Sequence, residues 1–447
     1  NRLYSRSTVY RSSFKFNLFG SVTDNTTASN KSSDYISDMS ILGLKQDWAL
    51  AFDKHQILFG IDASRRAYNP GIINTIINSP EQRIDSTSTD LKNNDTSIRM
   101  YLEDKYTIDK LTLVPGINIV NLSTQNKTIT AWEPRLRMNY TQSNSMTITA
   151  SAGIANQYFN IFNSSVLGLP TDSYIPTHSG LSSPNSSIVS FGIFKTIGKP
   201  YSLQTEVYYK SLRGLNTIRP GSPILLFGEN WQDRILSNGR GTSYGIESFF
   251  RKNTGKLTGW LSLTLSKTNR KFEDINQGKT FPFRFDRNVD IALVMSYAIS
   301  KSLTISMNWI YTTGEAATFP KVIYPSHLSN GEVFSIGSGI KDFFEVPIKS
   351  ENTDINSVIV YGSYNSNRFP DYHRLDISLE KRWQFMSIDH SLNISIYNLY
   401  NRRNTFFVSH GYGNESLNPF EAQNIKGNLS SQSLFPFFPS LSYKIKF

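Results

Sequence analysis

The feature that most limits how this chain can fold is an alternation of apolar and polar residues over unusually long segments. The C-terminal segment shows it clearly, because a serine and two lysines separate the members of one apolar face. That face carries Leu441, Tyr443, Ile445 and Phe447. We count about sixteen such segments of about 9 to 14 residues, whereas strands of soluble sheets typically have about 5 to 6. The pattern predicts an all-β protein.

The connections between these segments also alternate, between short turns and long loops. Short turns are predicted near residues 53–54, 109–110, 142–145, 198–200, 253–255, 300–301 and 386–389. Long loops are predicted over residues 20–35, 66–95, 121–129, 157–185, 213–239, 270–285, 314–371 and 400–436. Alternate connections of an antiparallel sheet lie at opposite ends, so the long loops share one end. We therefore predict a transmembrane antiparallel β-barrel of about sixteen strands in a bacterial outer membrane, with short periplasmic turns and long extracellular loops.

Composition supports β structure and argues against helical spans. The chain has 23 Tyr, 29 Phe and 6 Trp among its 447 residues, and aromatic residues favour strands. The longest mainly apolar run without charge, 291–300, is about half of what a spanning helix needs. A soluble β-sandwich array or β-solenoid is the alternative, but we find no fixed short repeat. Aromatic residues near strand ends are predicted to anchor the barrel at the membrane interfaces: Trp48, Trp132, Tyr140, Trp260, Tyr297 and Trp309.

A series of motifs resembles the C-terminal barrel half of TonB-dependent outer-membrane receptors. The resemblance is greatest to Bacteroidetes members that carry an N-terminal carboxypeptidase-regulatory-like domain, and it covers nearly the whole chain. The motifs are WEPRL at 132–136 before a strand, GRGTSYGIE at 239–247, LTGW at 257–260 with LSKT at 265–268, FDR at 285–287, WIYTTG at 309–314, RFPDYHRLD at 368–376, IYNLYNRRN at 396–404 and the terminal Phe447.

The resemblance implies a larger barrel than this sequence provides. Receptors of the family have barrels of about 22 strands that hold a plug. We therefore expect residues 1–447 to be the C-terminal part of one barrel domain, with the plug and the first strands N-terminal to Asn1. A self-contained porin of about sixteen strands is the alternative.

The sequence offers little support for chemistry. Without cysteine there is no thiolate site, and the six histidines are scattered. We expect no enzyme activity, no metal site and no cofactor. Four carboxylates of the loop 66–95 could bind calcium, although a solvated loop is the simpler interpretation: Glu81, Asp85, Asp90 and Asp95. Arg374 and Asp376 share a strand face and are expected to form a structural ion pair toward the lumen.

The formal charge of +11 does not indicate nucleic acid, because the basic residues are dispersed. Lipopolysaccharide phosphates or anionic solutes explain the excess better, and they predict basic residues at the outer rim or in the lumen.

The resemblance implies energised uptake of a scarce solute, driven by the TonB complex if a plug exists. Loop aromatics are the candidate contacts: Phe319, Tyr324, Phe343, Phe344, Tyr364, Phe406, Phe407, Tyr412 and Phe420. The final strand is expected to be the barrel-assembly signal, through Leu441, Tyr443, Ile445 and Phe447. Two alternatives stay open: a non-transporting scaffold subunit that holds a surface lipoprotein in an outer-membrane complex, and a general porin.

Overall fold

The fold is taken from a computed structural model of the chain. It describes residues 2–24, 29–78, 83–87, 93–124, 127–162, 173–177, 180–220, 231–326, 356–411 and 428–446.

Sixteen strands pair in chain order into one antiparallel meander. They are β1 (Arg2–Asp24), β2 (Ser29–Phe52), β3 (His55–Asn78), β5 (Asn93–Ile108), β6 (Leu111–Thr124), β7 (Thr128–Ser143), β8 (Met146–Asn156), β11 (Asn185–Ile197), β12 (Tyr201–Ile218), β13 (Ile235–Lys252), β14 (Leu257–Lys271), β16 (Val289–Ala298), β17 (Leu303–Thr312), β22 (Tyr372–Phe385), β23 (Ile388–Tyr397) and β26 (Phe438–Lys446). The predicted all-β barrel wall of about sixteen strands is confirmed.

Shorter elements decorate this meander. They are β4 (Arg83–Thr87) beside β3, β15 (Phe281–Pro282) beside β14, and four small pairs: β9 (Phe159–Phe162) with β10 (Ser173–Pro176), β18 (Ala316–Ala317) with β21 (Asn367–Arg368), β19 (Pro320–Ser326) with β20 (Asn356–Tyr361), and β24 (Phe407–Gly411) with β25 (Asn428–Gln432). Short 3-10 helices lie at Trp231–Arg234 and Asn276–Gly278. Within the described ranges, no helix is both long and apolar enough to cross a membrane. Within these ranges, β1 pairs with β2 alone and β26 with β23 alone.

One face of the sheet, the apolar face, exposes large hydrophobic side chains in lateral rows. Directly paired residues point to the same side of a sheet, so the register defines each row. One such row crosses six strands and runs through Leu257, Tyr297, Ile305, Leu379, Ile394 and Leu441. Every member of it is 37% or more exposed. A continuous exposed apolar band is the expected lipid-facing surface of a membrane barrel.

The opposite, polar face carries charged and hydroxyl side chains. On β22, Arg374 donates from Nε to Asp376 Oδ2 at 3.0 Å, and its guanidinium lies over the Tyr397 ring. Asp376 also accepts the Asn398 backbone N–H at 2.9 Å. The ion pair predicted from the strand alternation is therefore formed.

Turn lengths agree with the sequence pattern at one end of the sheet. The seven predicted short turns all join consecutive strands, as at Asp53 and Asp109, which take left-handed φ values of 47° and 46°. Asp is among the residues that tolerate this conformation in tight hairpins.

The other end differs from prediction in its first strands. β1, β2 and β3 have 23, 24 and 24 residues, so pairing continues through much of the predicted loops 20–35 and 66–95. Strands pair through backbone N–H and C=O groups, which do not require apolar side chains. Pairing can therefore continue beyond the apolar band.

One predicted anchor, Trp260, is wrong, and β1 also turns its aromatic residues toward the polar face. On β1 the aromatic set faces the polar side, where the Tyr10 hydroxyl donates to Asp62 Oδ1 at 2.9 Å and Phe14 packs on Tyr174 at 5.3 Å between ring centroids. Trp260 also lies on the polar face, because it pairs with Arg251 and shares the side of Ser262. An aromatic residue at a strand end therefore does not by itself identify a lipid-facing anchor. The WEPRL motif also lies inside β7 and not before a strand.

Candidate functional site

The loop end of the polar face is covered by two groups of loops. The first group is the hairpin region, residues 157–184 as far as they are described, which connects β8 to β11 and contains β9 and β10. β10 lies against β2, β3 and β5, and Phe162, Ile175 and Leu181 form a buried cluster with Ile218 at the end of β12 and Ile235 at the start of β13. The hairpin region thus contacts both the first strands and the middle of the sheet.

Beneath the hairpin region, β3 and β5 hold a buried ion pair. Arg66 Nε donates to Asp95 Oδ1 at 2.6 Å, and the Asp95 side chain is fully buried. The two residues are direct register partners. Tyr68, two residues along β3, is buried with them.

This pair bears on the carboxylates considered for calcium. Asp95 is committed to Arg66, and Asp85 is exposed with its Oδ2 3.9 Å from Arg83 Nη2. Glu81 and Asp90 lie outside the described residues. In the part of the chain that the structure describes, no group of three acidic or histidine side chains is arranged to hold a metal.

A polar network joins β5, β6 and β7 to the start of the hairpin region. Glu133 accepts from the Tyr158 hydroxyl at 2.6 Å and from Asn118 Nδ2 at 3.1 Å. Arg135 Nε donates to Glu103 Oε2 at 3.1 Å. Neutral donors satisfy Glu133 and an ion pair joins Arg135 to Glu103, which is the pattern of a structural wall and not of a ligand site.

The second group of loops is the clamp region, residues 272–288 and 313–371 as far as they are described. Asp286 is its centre: its carboxylate is buried and accepts from the Thr268 N–H and the Arg368 guanidinium. Arg368 also donates from Nη1 to the carbonyl oxygens of Asp286 and Gly314, at 2.6 and 2.9 Å. The FDR and RFPDYHRLD motifs are therefore joined in space.

Close packing reinforces the clamp region. A Cβ at Gly314 would lie 1.7 Å from the Phe369 carbonyl oxygen, so only glycine fits there. Asp371 accepts from the Gly314 N–H at 3.0 Å and from the Tyr311 hydroxyl at 2.7 Å.

Tyr364, one of the predicted solute contacts, is anchored in the clamp region. Its backbone N–H donates to Asn276 Oδ1 at 2.7 Å, and its carbonyl accepts from Asn276 Nδ2 at 3.0 Å. Its ring meets Phe281 edge to face at 5.2 Å. Burial raises the pKa of the Tyr364 phenol, so the hydroxyl stays protonated.

Arg270, next to Tyr364 on the polar face, has no ionic partner among the described residues. Its guanidinium carbon lies 3.5 Å from the centroid of Phe283. In the same part of the chain, its buried Nε has no hydrogen-bond acceptor. Sequence reasoning missed this residue, because its register partners, Gly241 and Phe281, are known only from the structure.

The other predicted loop contacts fall into three groups. Phe319 packs on Phe369 within the clamp region, 5.6 Å between centroids, and Phe406 is 41% exposed beyond β23. Only the backbones of Tyr324, in β19, and Phe407, in β24, are described. The remaining contacts lie outside the described residues: Phe343, Phe344, Tyr412 and Phe420.

The predicted assembly signal lies on the apolar face of β26. Leu441, Tyr443 and Ile445 are 70%, 53% and 42% exposed, and the Tyr443 hydroxyl is hydrogen-bonded to His390 Nδ1 at 2.6 Å. Phe447 lies outside the described residues.

Comparisons with known proteins agree with this architecture. The family model described as TonB dependent receptor-like, beta-barrel matches residues 1–399. No match was found among curated proteins.

Solved structures with the same fold are distant in sequence. The ferric-catecholate import receptor Fiu from E. coli K12, in its closed form, has a TM-score of 0.59 and 10% identity over 99% of this chain and 62% of its own. Ferric citrate transporter FecA, unliganded, has a TM-score of 0.57 and 10% identity, over 99% of this chain and 62% of its own. FpvAI in its complex with pyocin S2 has a TM-score of 0.54 and 12% identity, over 99% of this chain and 51% of its own. The chain therefore spans between about half and three fifths of the length of these proteins.

Proposed function

Because the chain belongs to the TonB-dependent receptor-like β-barrel family, we propose that it forms the barrel wall of an outer-membrane receptor that imports a scarce solute. Its place is the bacterial outer membrane, and residues 1–447 act as one barrel domain. The observation that carries this proposal is the combination of a continuous exposed apolar band with loops built over the polar face at one end only. The lipid contacts the band, and the solute contacts the loops.

The loops support a receptor more than an open pore. The hairpin region and the clamp region both fold over the polar face and fix their aromatic residues by hydrogen bonds and packing. Anchored side chains of this kind lose little entropy when they bind a solute. Solute uptake without catalysis, energised by the TonB complex acting on a plug, is the activity that we infer for the whole protein.

Uptake can be tested with the complete protein in its native membrane. A strain that lacks the gene is compared with a strain that carries it, and the growth medium of each is analysed by mass spectrometry for solutes that are depleted. We expect at least one solute to be depleted only when the gene is present, and a protonophore to abolish that depletion. Depletion that the protonophore leaves unchanged would indicate a general porin instead.

The scaffold alternative gives a different result. A scaffold subunit would leave all solutes unchanged by the deletion and would co-purify with a surface lipoprotein in equal amounts. That outcome would overturn the uptake proposal while leaving the barrel itself intact.

A basic patch favours lipopolysaccharide as the neighbouring lipid. On the apolar face, the exposed Lys267 is the direct register partner of the exposed Tyr244, and Arg240 and Lys271, also exposed, pair with each other closer to the loop end. None of the three basic side chains forms an ion pair within the described ranges. We propose that they hold lipid phosphates at the outer rim.

Replacing all three basic residues by glutamine tests this contact. We expect native mass spectrometry of the purified protein to show fewer bound phosphorylated lipids than for the wild type. Equal amounts of bound phosphorylated lipid in the two proteins would contradict the proposed contact.

A further inference from the structure

We propose that Arg270, Phe283 and Tyr364 form a binding site for a solute that carries a carboxylate on a flat apolar group. This deepens the proposed function, on which it rests for the direction from which a solute arrives. It names both the chemical class of the solute and the side chains that recognise it.

The first argument is the missing partner of Arg270. A guanidinium has five N–H donors in one plane and stays charged, so it normally accepts burial only with an anion or several acceptors beside it. Within the described ranges, the buried Nε of Arg270 has neither. Its register partners, Gly241 on one side and Phe281 on the other, supply no carboxylate.

The second argument is a comparison with other arginines of the polar face. Arg66 is paired with Asp95, Arg374 with Asp376, and Arg368 with Asp286. Each of these pairs lies within one sheet or joins two loops, so each of these guanidinium groups has a carboxylate of the chain beside it. Arg270 is the exception among these four, which indicates that its anion comes from outside the described wall.

The third argument is the geometry around the guanidinium. Phe283 lies beneath it at 3.5 Å, which fixes the plane of the donors as a stacked cation–π contact does. Tyr364 lies beside it, and both the N–H and the carbonyl of Tyr364 are hydrogen-bonded to the Asn276 side chain. Arg284 adds a second positive charge near the Tyr364 hydroxyl. A planar donor fork with aromatic neighbours matches a carboxylate attached to a flat apolar group.

The site is at the right place for a solute. Arg270 is the penultimate residue of β14 at the loop end, and a buried hydrophobic cluster contains its neighbours Phe272 and Phe281. The guanidinium therefore lies at the end of the polar face where the loops are.

The experiment uses the purified full-length protein in detergent, with benzoate as the probe and benzamide as its neutral counterpart. Binding is measured by ligand-observed NMR titration. We expect benzoate to bind more tightly than benzamide and Arg270→Gln to weaken benzoate about tenfold, which corresponds to one charge-assisted contact. Arg287→Gln is the matched control, because Arg287 is already paired with Glu315 at 2.8 Å and should leave the affinity unchanged.

Three results would overturn the site. They are equal affinity for benzoate and benzamide, an unchanged benzoate affinity in Arg270→Gln, and no benzoate binding to the wild type. The last result includes the case in which a carboxylate from another part of the protein already occupies Arg270. Heat-dependent gel mobility checks that each variant has formed its barrel, and Arg270→Lys, which keeps the charge but not the planar fork, should retain only part of the affinity.

Failure here is distinguishable from failure of the proposed function. If solute depletion depends on the gene and the protonophore but Arg270→Gln binds benzoate normally, only the anion site is wrong. If benzoate binding depends on Arg270 and no solute is depleted, only the uptake function is wrong.

Discussion

Arg66 and Arg270 lie on the same polar face near the same end of the sheet, and they differ in what surrounds their guanidinium groups. Arg66 donates to a fully buried carboxylate, Asp95, at 2.6 Å. Arg270 lies over an aromatic ring, and no described residue supplies an acceptor for its Nε.

The register explains this difference. Asp95 is the direct cross-strand partner of Arg66, whereas Arg270 stands between Gly241 and Phe281. Arg66 and Asp95 form an ion pair within the sheet, beneath the hairpin region, so Arg66 has a structural role in the wall. Arg270 has a donor without an acceptor among the residues that the structure describes, which is why we propose that it binds a solute. An arginine on a barrel interior is therefore interpretable only together with its register partners.

The largest expected effect comes from making Arg66 resemble Arg270. In Asp95→Ala, the buried guanidinium loses its carboxylate, and we expect the free energy of unfolding to fall by about 3 to 5 kcal/mol. Urea titration of the barrel in lipid vesicles measures this change. Arg270→Met is the control and should change the free energy of unfolding by less than about 1 kcal/mol, because no anion is left unpaired.

The double variant Arg66→Met with Asp95→Leu sharpens the same test. Removing both charges together should restore stability close to that of the wild type, since a buried pair contributes little beyond a well-packed apolar pair. An Asp95→Ala protein as stable as the wild type would show that the Arg66 environment is wetter than the structure indicates.

The next largest effect concerns the clamp region that holds Tyr364 beside Arg270. In Asp286→Ala, the guanidinium of Arg368 and the Thr268 N–H lose their shared acceptor, and we expect a loss of about 2 to 3 kcal/mol. Urea titration measures the loss, and faster proteolysis within the clamp region should accompany it. Glu315→Gln, which breaks the exposed pair with Arg287, should cost less than about 1 kcal/mol. Equal costs for the two variants would mean that the clamp is held mainly by other contacts.

A smaller effect is expected at Gly314. Alanine there would bring Cβ to 1.7 Å from the Phe369 carbonyl oxygen, and the relaxation needed should cost about 1 to 2 kcal/mol. Gly362→Ala is the matched control in the same loop, because its Cβ would meet nothing closer than 3.9 Å. We expect Gly314→Ala to unfold at a lower urea concentration than Gly362→Ala. Equal midpoints for the two variants would contradict the close packing at Gly314.

The sequence pattern predicted the meander, its short turns and the sides of most strands, because each depends on local alternation and turn residues. Arg374 and Asp376 were predictable for the same reason, since a two-residue spacing places them on one face. The orientation of β1 was not, because the ring on which Phe14 packs, Tyr174, belongs to a hairpin that lies far along the chain.

The candidate site was predictable only in part. Tyr364 was among the chosen loop aromatics, but aromatic content alone did not separate it from Phe319, which packs within the loop on Phe369. Arg270 was missed because its significance is an absence of partners, and partners across strands require the register. The Asp286 to Arg368 contact joins residues 82 apart and has no local signal.

Asp371 offers the smallest test and an intermediate case between Arg66 and Arg270, because its charge is held by neutral donors. The Tyr311 hydroxyl and then the Gly314 N–H hold the pKa of this carboxyl below its usual value. A lowered folded-state pKa means that the contribution to stability is present above the unfolded value of about 3.9 and is lost as pH falls through the lower folded value.

We expect hydrogen-exchange protection of the Gly314 amide, corrected for intrinsic rates, to be steady from about pH 7 to pH 5 and to fall below about pH 4. In Asp371→Asn the protection should be lower at neutral pH and should no longer change with acid, and the effect should be small because Asp371 is largely exposed. Wild-type protection that persists unchanged to about pH 3 would show that the charge of Asp371, unlike that of Asp95, has no part in holding its loop.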